Sequence, residues 1–505
     1  MTTTDLNNLT IDQAVRRHAS ERPEEPAVVD ADGTLSWAQL DRAAHQVADH
    51  LRATGIRPGD RVGWLGPNRT HYPAVLLGTW RAGAAMVGMN WRLPSGAITA
   101  AARAVALDHL VADARFETEA RAAMGEQVSI TAAGTSPWAQ RSTTDEAPVT
   151  DADQVAMIYF TSGSTGTPKA VPLSRRAVEA TMAHAQVHRY SPGDRALIVP
   201  PTFHAAGATW TAYCLKAGVT VHYSDDASAR GLIDTLRDQA ISHAILVPTL
   251  IHAVVDELDR RPEPLPALRH VAYGASPIPP ALLNDAIRLL GCDFSQVYGM
   301  SETGGGVTFL SVEDHRAVDE HPERLASAGR PGVDVELQVR GPLGDVAKTG
   351  EAGEVWLRTP CLTTGYLAAE DPTGGVLRDG WLNTRDVGYQ DADSYLYLLG
   401  RADDMIQTGA ENVHPRAVEE VLLEHPAVAD CAVYGVRHAR WGEQVTAAVV
   451  STGPAPTAEQ LSEFCAPRLA GYQIPKRYLF VDELPRTAAG KVQRHELVAL
   501  TPADD

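Results

Sequence analysis

The densest run of groups that could do chemistry lies between Val155 and Lys169, in the order Val-Ala-Met-Ile-Tyr-Phe-Thr-Ser-Gly-Ser-Thr-Gly-Thr-Pro-Lys. An apolar stretch of strand character leads into Thr161, Ser162, Gly163, Ser164, Thr165, Gly166 and Lys169. Glycines let backbone N–H groups come close to phosphate oxygens. The hydroxyls add donors, and Lys169 adds a positive charge. The Gly-Lys-[Ser/Thr] ending is missing, so this is not a Walker A loop. Most Gly/Ser/Thr loops after a strand are only turns, but the donor density here reads as a phosphate cradle. Lysine is scarce: Lys169, Lys216, Lys348, Lys476 and Lys491 stand among 44 basic residues, the rest arginine.

Thr161–Lys169 resembles the signature loop of the adenylate-forming superfamily, which includes acyl- and aryl-CoA synthetases, peptide-synthetase adenylation domains and beetle luciferases. Four further segments resemble the family's motifs in the same order. Tyr298-Gly-Met-Ser-Glu-Thr303 is similar to its adenine and magnesium segment, and Gly380-Trp-Leu-Asn-Thr-Arg-Asp386-Val-Gly388 to its ribose segment. Gly400-Arg-Ala-Asp-Asp-Met-Ile-Gln-Thr-Gly409-Ala-Glu-Asn-Val-His-Pro415 is similar to its hinge, and Pro485-Arg-Thr-Ala-Ala-Gly-Lys491 to its catalytic-lysine loop. The N-terminal 150 residues resemble the family more loosely.

The resemblance implies a two-step reaction. A carboxylate attacks the α-phosphate of ATP, giving an acyl-adenylate and pyrophosphate, and a thiol then attacks the mixed anhydride. Two anions meet in the first step, so charge neutralisation is the main demand. By the same resemblance Lys491 bridges carboxylate and α-phosphate, as a compact point charge can. Glu302 holds Mg²⁺ as a hard oxygen ligand, and Thr303 donates to the α-phosphate. Tyr298 stacks on adenine, beside the backbone of Gly274, Ala275 and Ser276. Asp386 accepts both ribose hydroxyls, and Arg401 reaches the ribose region. Each has a plainer reading: core packing for Tyr298, a helix-dipole acid for Glu302, a turn residue for Asp386. Asp403 matches the hinge about which the C-terminal domain rotates between half-reactions. Gly409 and Trp441 are implied to line the coenzyme A tunnel, with Ala410 where many relatives have a second glycine.

Two features bear on the branch of the family. His204, in Pro201-Thr-Phe-His204, stands where amino-acid-activating relatives carry an Asp, which argues against an α-amino acid. Gln473 and Ile474 are neutral where relatives often carry a basic residue. An acceptor other than CoA therefore stays open: a carrier-protein thiol, an amine or another small nucleophile. The acid pocket is expected among His184, His204, Ile245, Ala275, Val297, Gly299 and Gly304. His184 reads either as a core histidine or as a polar contact to a substituent. A homologue without activity is the reading from a different class; the intact Lys491, Glu302 and Asp386 argue against it.

These residues need a scaffold of several units. With 505 residues the chain is long enough for about three folding units at ~150 residues each. Acidic side chains number 63 against 44 basic, a net charge of −19, which repels nucleic-acid phosphate and anionic lipid. Hydrophobic content of 44% and charged content of 21% exclude a disordered chain. Cys214, Cys292, Cys361, Cys431 and Cys465 contain no CxxC pair, so neither a disulfide framework nor a zinc site is expected. No signal-peptide core or membrane-length apolar run is present. The expectation is a cytoplasmic enzyme, monomer or homodimer, that takes a small carboxylic acid and CoA and binds neither nucleic acid nor membrane.

Capping boxes open helices at Thr10-Ile-Asp-Gln13 and Ser36-Trp-Ala-Gln39. Strands are expected at 61–65, 108–112, 155–160, 196–199, 219–223, 244–247, 271–273 and 294–298, with a helix over about 72–89. Residues 113–152 read as a loop or joint. Short strands and frequent turns from 327 to 400 suggest a small β-barrel-like unit. The fold class is α/β: a large N-terminal domain, 1–400, of stacked α/β subdomains (about 1–150, 151–326 and 327–400) carries ATP and acid. A small, mobile α+β C-terminal domain, 401–505, carries Lys491.

Overall fold

The structure is a computed structural model that describes residues 9–131, 151–161, 169–367, 375–409, 411–438, 440–486 and 492–501. The calls on Ser162, Gly163, Ser164, Thr165, Gly166, Ala410 and Lys491 lie outside the described residues. Both capping boxes are present. Thr10 Oγ1 accepts from the Gln13 N–H and Ser36 Oγ from the Gln39 N–H, opening helices Ile11–Glu21 and Trp37–Ala53. Each such cap is worth about 1 kcal/mol.

Two large sheets carry the first two thirds of the chain, up to Pro331. In the six-stranded sheet the spatial order is Val128–Thr131, His109–Asp113, Arg61–Leu65, Ala85–Met89, Val155–Thr161, Lys169–Ser174. Its first five strands run parallel and the last is antiparallel. The nine-stranded sheet has a parallel centre in the order Asp293–Met300, His270–Gly274, His243–Leu246, Arg195–Ile198, Thr220–His222, Pro26–Asp30. Antiparallel strands Gly305–Leu310, Arg330–Pro331 and Gly33–Ser36 finish its edges. Helices His71–Arg81 and Ala205–Ala217 are buried on nearly every face. Their side chains join both sheets in one apolar cluster that includes Trp37, Trp64, Trp210 and Tyr213. Gly207 is fixed by that packing, since a Cβ there would stand 2.3 Å from the Pro201 carbonyl oxygen.

The strand pairing does not respect a subdomain boundary near residue 150. Strands 26–36 pair into the nine-stranded sheet, and Val155–Thr161 pairs back onto Ala85–Met89. A cut at 150 would divide both sheets. The expected helix over 72–89 is two elements, helix His71–Arg81 and strand Ala85–Met89, turned at Gly83 with φ 80°. Every residue from 72 to 89 is buried, so no polar face marked the change of period. Residues 113–131 are ordered as helix Glu117–Met124 and strand Val128–Thr131, which corrects the expected loop over that part.

The third sheet is antiparallel: Glu336–Arg340, Gly353–Arg358, then the long strand Trp381–Gln390. On the far side of that strand, Leu377–Arg378 pairs with its start and Leu396–Arg401 with its end. The fourth sheet uses only strands after residue 405: Glu411–Val413, Ile406–Thr408, Gly442–Ser451, Val428–His438 and Arg477–Phe480. Helices Pro415–Leu423 and Ala458–Cys465 bury Val418, Leu422, Leu461 and Cys465 in its core. All five cysteines are free. Among the described residues, no helix is long and apolar enough to cross a membrane.

A buried group of histidines joins the strands of the nine-stranded sheet. His243 and His270 are register partners, and the ring of His188 lies 5.8 Å from that of His270 and 5.1 Å from Trp210. Burial holds all three well below the usual imidazole range, His188 at about 3 and His270 at about 2.

Candidate active site

The turn Ser301–Thr303, at the carboxyl end of a strand of the nine-stranded sheet, touches strands Val155–Thr161 and Lys169–Ser174 of the six-stranded one, and open α/β sheets place ligands at such strand ends. Thr161 ends one such strand, Gly274 another and Met300 a third. Thr161 and Lys169 are register partners on antiparallel strands, so the two ends of the expected phosphate loop lie side by side. Lys169 is exposed, and its ammonium sits 5.0 Å from the centre of the Tyr366 ring.

Glu302 lies in the single 3-10 turn Ser301–Thr303 that follows strand Asp293–Met300. Its Oε1 accepts from the Tyr366 hydroxyl at 2.8 Å, and its carbonyl accepts from the Thr363 N–H at 2.8 Å. The remaining carboxylate oxygen suits a hard cation. Among the described residues no group of three or more His, Cys, Asp or Glu could hold a metal. Mg²⁺ is usually held by one or two carboxylates with substrate phosphates and water, a role a single Glu302 carboxylate can fill.

Asp386 is the meeting point of the third sheet with the nine-stranded one. Its Oδ2 accepts from the Tyr298 hydroxyl at 2.5 Å and its Oδ1 from Arg401 Nη1 at 3.1 Å. Arg401 is its register partner on the neighbouring strand. Burial and the Asp386 charge push the Tyr298 hydroxyl well above the usual phenol range, so it stays a donor. Both Asp386 oxygens already accept a protein donor. A carboxylate offers about four lone-pair sites, so ribose hydroxyls would share it with Tyr298 and Arg401.

Several expected site residues have local partners in the structure. Thr303 is fully buried, and its hydroxyl lies 2.7 Å from the Gly305 carbonyl and 2.9 Å from that of Met300. It faces inward and closes its own turn. Gly274 is demanded by the sheet, because a Cβ there would stand 2.3 Å from the Val297 carbonyl oxygen. Ala275, which follows it, is exposed and left-handed at φ 70°, and Ser276 is half-buried beside it. His184 is only 1% exposed; its Nε2 lies 2.9 Å from the Val333 carbonyl and its ring packs on Phe309. In this structure it packs as a buried histidine, one of the two readings given for it.

Of the other acid-pocket candidates, Ile245 and Val297 belong to the main apolar cluster together with Phe309. Gly304 turns the chain at φ 65°, where a Cβ would meet Leu173 at 2.9 Å. Gly304 also caps a small apolar cavity lined by Trp80, Met157, Tyr159, Thr181 and Thr209. Gly299 is exposed, and a Cβ there would stand 2.0 Å from the Gly305 carbonyl. His204 is the half-buried N-cap of helix Ala205–Ala217. Gly299 thus sits at a close approach of backbone, and Gly304 faces the Leu173 side chain.

In the fourth sheet the Gly409 N–H donates to the Trp441 carbonyl at 2.7 Å. Trp441 stacks on His438, with ring centres 4.6 Å apart and planes within 17°. Asp403 lies in the 3-10 turn Ala402–Asp404 and pairs with Arg385 at 3.6 Å. Arg486 and Val492, which flank the segment containing Lys491 in sequence, form an antiparallel bridge. Tyr366 and Arg385 were not anticipated from the sequence. The only signal was their place inside or just ahead of the ribose segment.

Models of two protein families match the chain: AMP-binding enzyme over residues 15–367, and AMP-binding enzyme C-terminal domain over residues 417–491. The fatty acid–[acyl-carrier-protein] ligase ScoC of Streptomyces coeruleorubidus is 35% identical over 500 residues, 97% of this chain and 96% of that protein. Among solved structures, o-succinylbenzoate CoA synthetase (MenE) of Bacillus subtilis with its acyl-adenylate intermediate matches at a TM-score of 0.85 and 29% identity, covering 96% of this chain and 97% of that one. The amide bond synthetase McbA of Marinactinospora thermotolerans matches at 0.87 and 29% identity, covering 97% of this chain and 100% of that one.

Proposed function

The chain belongs to the AMP-binding enzyme family, and we propose that it activates a carboxylic acid with ATP and passes the acyl group to the thiol of coenzyme A. The observation that carries this reading is the grouping of Glu302 and Lys169 on either side of Tyr366, and of Asp386 with Tyr298 and Arg401; all of these but Tyr366 lie in segments that resemble the family's motifs.

In the first step a carboxylate oxygen bonds to the α-phosphorus, the bond to the β-phosphate bridging oxygen breaks, and pyrophosphate leaves. Asp386 anchors the ribose while Tyr298 and Arg401 hold its carboxylate in place. Lys491 neutralises the carboxylate and α-phosphate as they meet. Lys169 binds the phosphate end, and Glu302 would hold Mg²⁺, which would supply charge neutralisation there. In the second step the thiol sulfur bonds to the acyl carbon, its proton leaves, and AMP departs.

We place the division between a body and a C-terminal domain at residues 401–404. Strands up to Arg401 belong to the third sheet, and all from Ile406 onward belong to the fourth. Rotation there would exchange the Lys491 loop for the Gly409–Trp441 region at one site.

A second reading keeps the adenylation step and changes the acceptor to a carrier-protein thiol or an amine. It is favoured by the neutral Gln473 and Ile474 and by the likeness to ScoC and McbA. Pyrophosphate release over a panel of aryl and short aliphatic acids, with and without CoA, tests both. CoA-dependent turnover with thioester formation supports the first reading. Acid-dependent release that CoA does not accelerate favours the second, and no acid-dependent release contradicts both.

A further inference from the structure

Tyr366 joins two residues that the proposed mechanism assigns to the phosphate end, yet it belongs to none of the motifs. It is 8% exposed. Its ring is walled by Val171, Val376 and Leu382. Its hydroxyl donates to Glu302 Oε1 at 2.8 Å, and the face of its ring carries the Lys169 ammonium at 5.0 Å.

The segment that bears it is strapped to the same two elements. Thr363 Oγ1 donates to the Pro172 carbonyl at 2.6 Å, the Thr363 N–H to the Glu302 carbonyl at 2.8 Å, and the Leu367 N–H to the Ala170 carbonyl at 2.9 Å. Tyr366 is therefore registered at once against the strand that starts with Lys169 and against the turn that holds Glu302. A glutamate on a one-turn helix has three rotatable side-chain bonds, and each is free unless something outside fixes it.

We propose that Tyr366 is a positioning residue for the phosphate end of the nucleotide site. Its hydroxyl fixes the rotamer of Glu302, so that one carboxylate oxygen is held back and the other faces the cation. Its ring gives the Lys169 side chain a defined resting place by cation–π attraction. The proposal rests on the reading of Glu302 as the Mg²⁺ ligand. Groups that orient a metal ligand typically change metal affinity by about 10–100-fold when removed.

The test is Mn²⁺ binding, as a relaxation-active stand-in for Mg²⁺, to the full-length enzyme saturated with α,β-methylene-ATP. Water-proton relaxation is measured for the wild type, Glu302→Gln, Tyr366→Phe and the double variant, with melting temperatures alongside. Tyr366→Phe keeps the ring and its packing, so the melting temperature should stay near that of the wild type. Mn²⁺ binding should nevertheless weaken about tenfold. The double variant should bind no more weakly than Glu302→Gln alone, because the hydroxyl acts through that carboxylate. Wild-type Mn²⁺ affinity in Tyr366→Phe, with Glu302→Gln weakened, would make Tyr366 a packing residue and overturn the proposal alone. Full Mn²⁺ affinity in Glu302→Gln would overturn it together with the metal assignment. Additive losses in the double variant would show that the hydroxyl acts elsewhere.

Discussion

Arg385 and Asp403 are paired across the junction between the third and fourth sheets, with Nη1 3.6 Å from Oδ1, and Arg385 holds that place with a left-handed φ of 62°. The Asn383 side chain accepts from the Arg385 N–H at 2.8 Å, and its own amide is held by Glu354. A non-glycine residue in this conformation costs roughly 1–2 kcal/mol. The open ion pair returns at most about 1 kcal/mol. Glycine at 385 relieves the strain but adds about 0.5–1 kcal/mol of backbone entropy. Arg385→Gly should thus leave stability within about 1 kcal/mol of the wild type, whereas the β-branched Arg385→Val should lose clearly more. Chemical denaturation of both variants checks the ordering; equal stabilities would remove the strain argument.

Asp403→Pro addresses the rotation. In this pose residue 403 sits in a 3-10 turn, whose φ of about −60° proline accepts. Proline should therefore preserve this arrangement and hinder any pose that needs another φ. One half-reaction should persist in single turnover and the other collapse, with the melting temperature little changed. Parallel loss of both steps with a lowered melting temperature would indicate misfolding; both steps intact would mean that one static site serves both reactions.

Lys491→Ala should slow adenylation by about 10²-fold or more, since one preorganised charge on a transition state is worth roughly 2.7–4 kcal/mol. Transfer from preformed acyl-adenylate should largely survive. Single-turnover rates for the two steps, measured separately, decide this. Equal losses would reject the role given to Lys491.

Asp386→Ala should weaken ATP binding and also cost stability. It leaves the Tyr298 hydroxyl without its acceptor, a loss of about 1–3 kcal/mol for a buried donor. Tyr298→Phe in the same background should recover part of that stability without recovering nucleotide affinity. Calorimetric titration with ATP, paired with thermal melts, separates the two effects. Unchanged ATP affinity in Asp386→Ala would remove it from the site.

The buried histidines make the fold sensitive to acid. Burial, then the neighbouring histidine charges, hold His188 at about 3 and His270 at about 2, against 6.5 for an ordinary imidazole. As pH falls below 6.5 the unfolded chain takes up protons that the folded chain refuses, so stability declines. At pH 5 the loss approaches about 2 kcal/mol for each such histidine. His270→Gln should flatten the decline in melting temperature between pH 6.5 and 5, whatever it does at neutral pH. An unchanged slope would mean that the histidine cluster opens before global unfolding.

The chemistry was more legible than the scaffold, for a physical reason. The segments proposed to bind phosphate and ribose and to carry the lysine are short and contiguous, so Thr161, Glu302 and Asp386 stand out by their neighbours. The capping boxes at Thr10 and Ser36 are equally local. Tyr366 acts on Glu302 across 64 residues, and nothing beside it in the chain marks that partnership. The burial of residues 72–89 erased the periodicity that would have separated helix from strand. The glycines at 274, 299 and 304 were legible as small residues, but their causes are tertiary contacts with Val297, Gly305 and Leu173. The crossing of strands 26–36 and 155–174 between the two sheets likewise depends on pairing at long range.

The central claim is that the carboxylate of the substrate attacks the α-phosphorus of ATP. It is tested by turning over a carboxylic acid labelled with ¹⁸O in its carboxyl group and analysing the products by mass spectrometry. This account predicts AMP carrying one ¹⁸O atom and unlabelled pyrophosphate, whichever nucleophile accepts the acyl group. Label in inorganic phosphate with formation of ADP, or AMP without label, would contradict it.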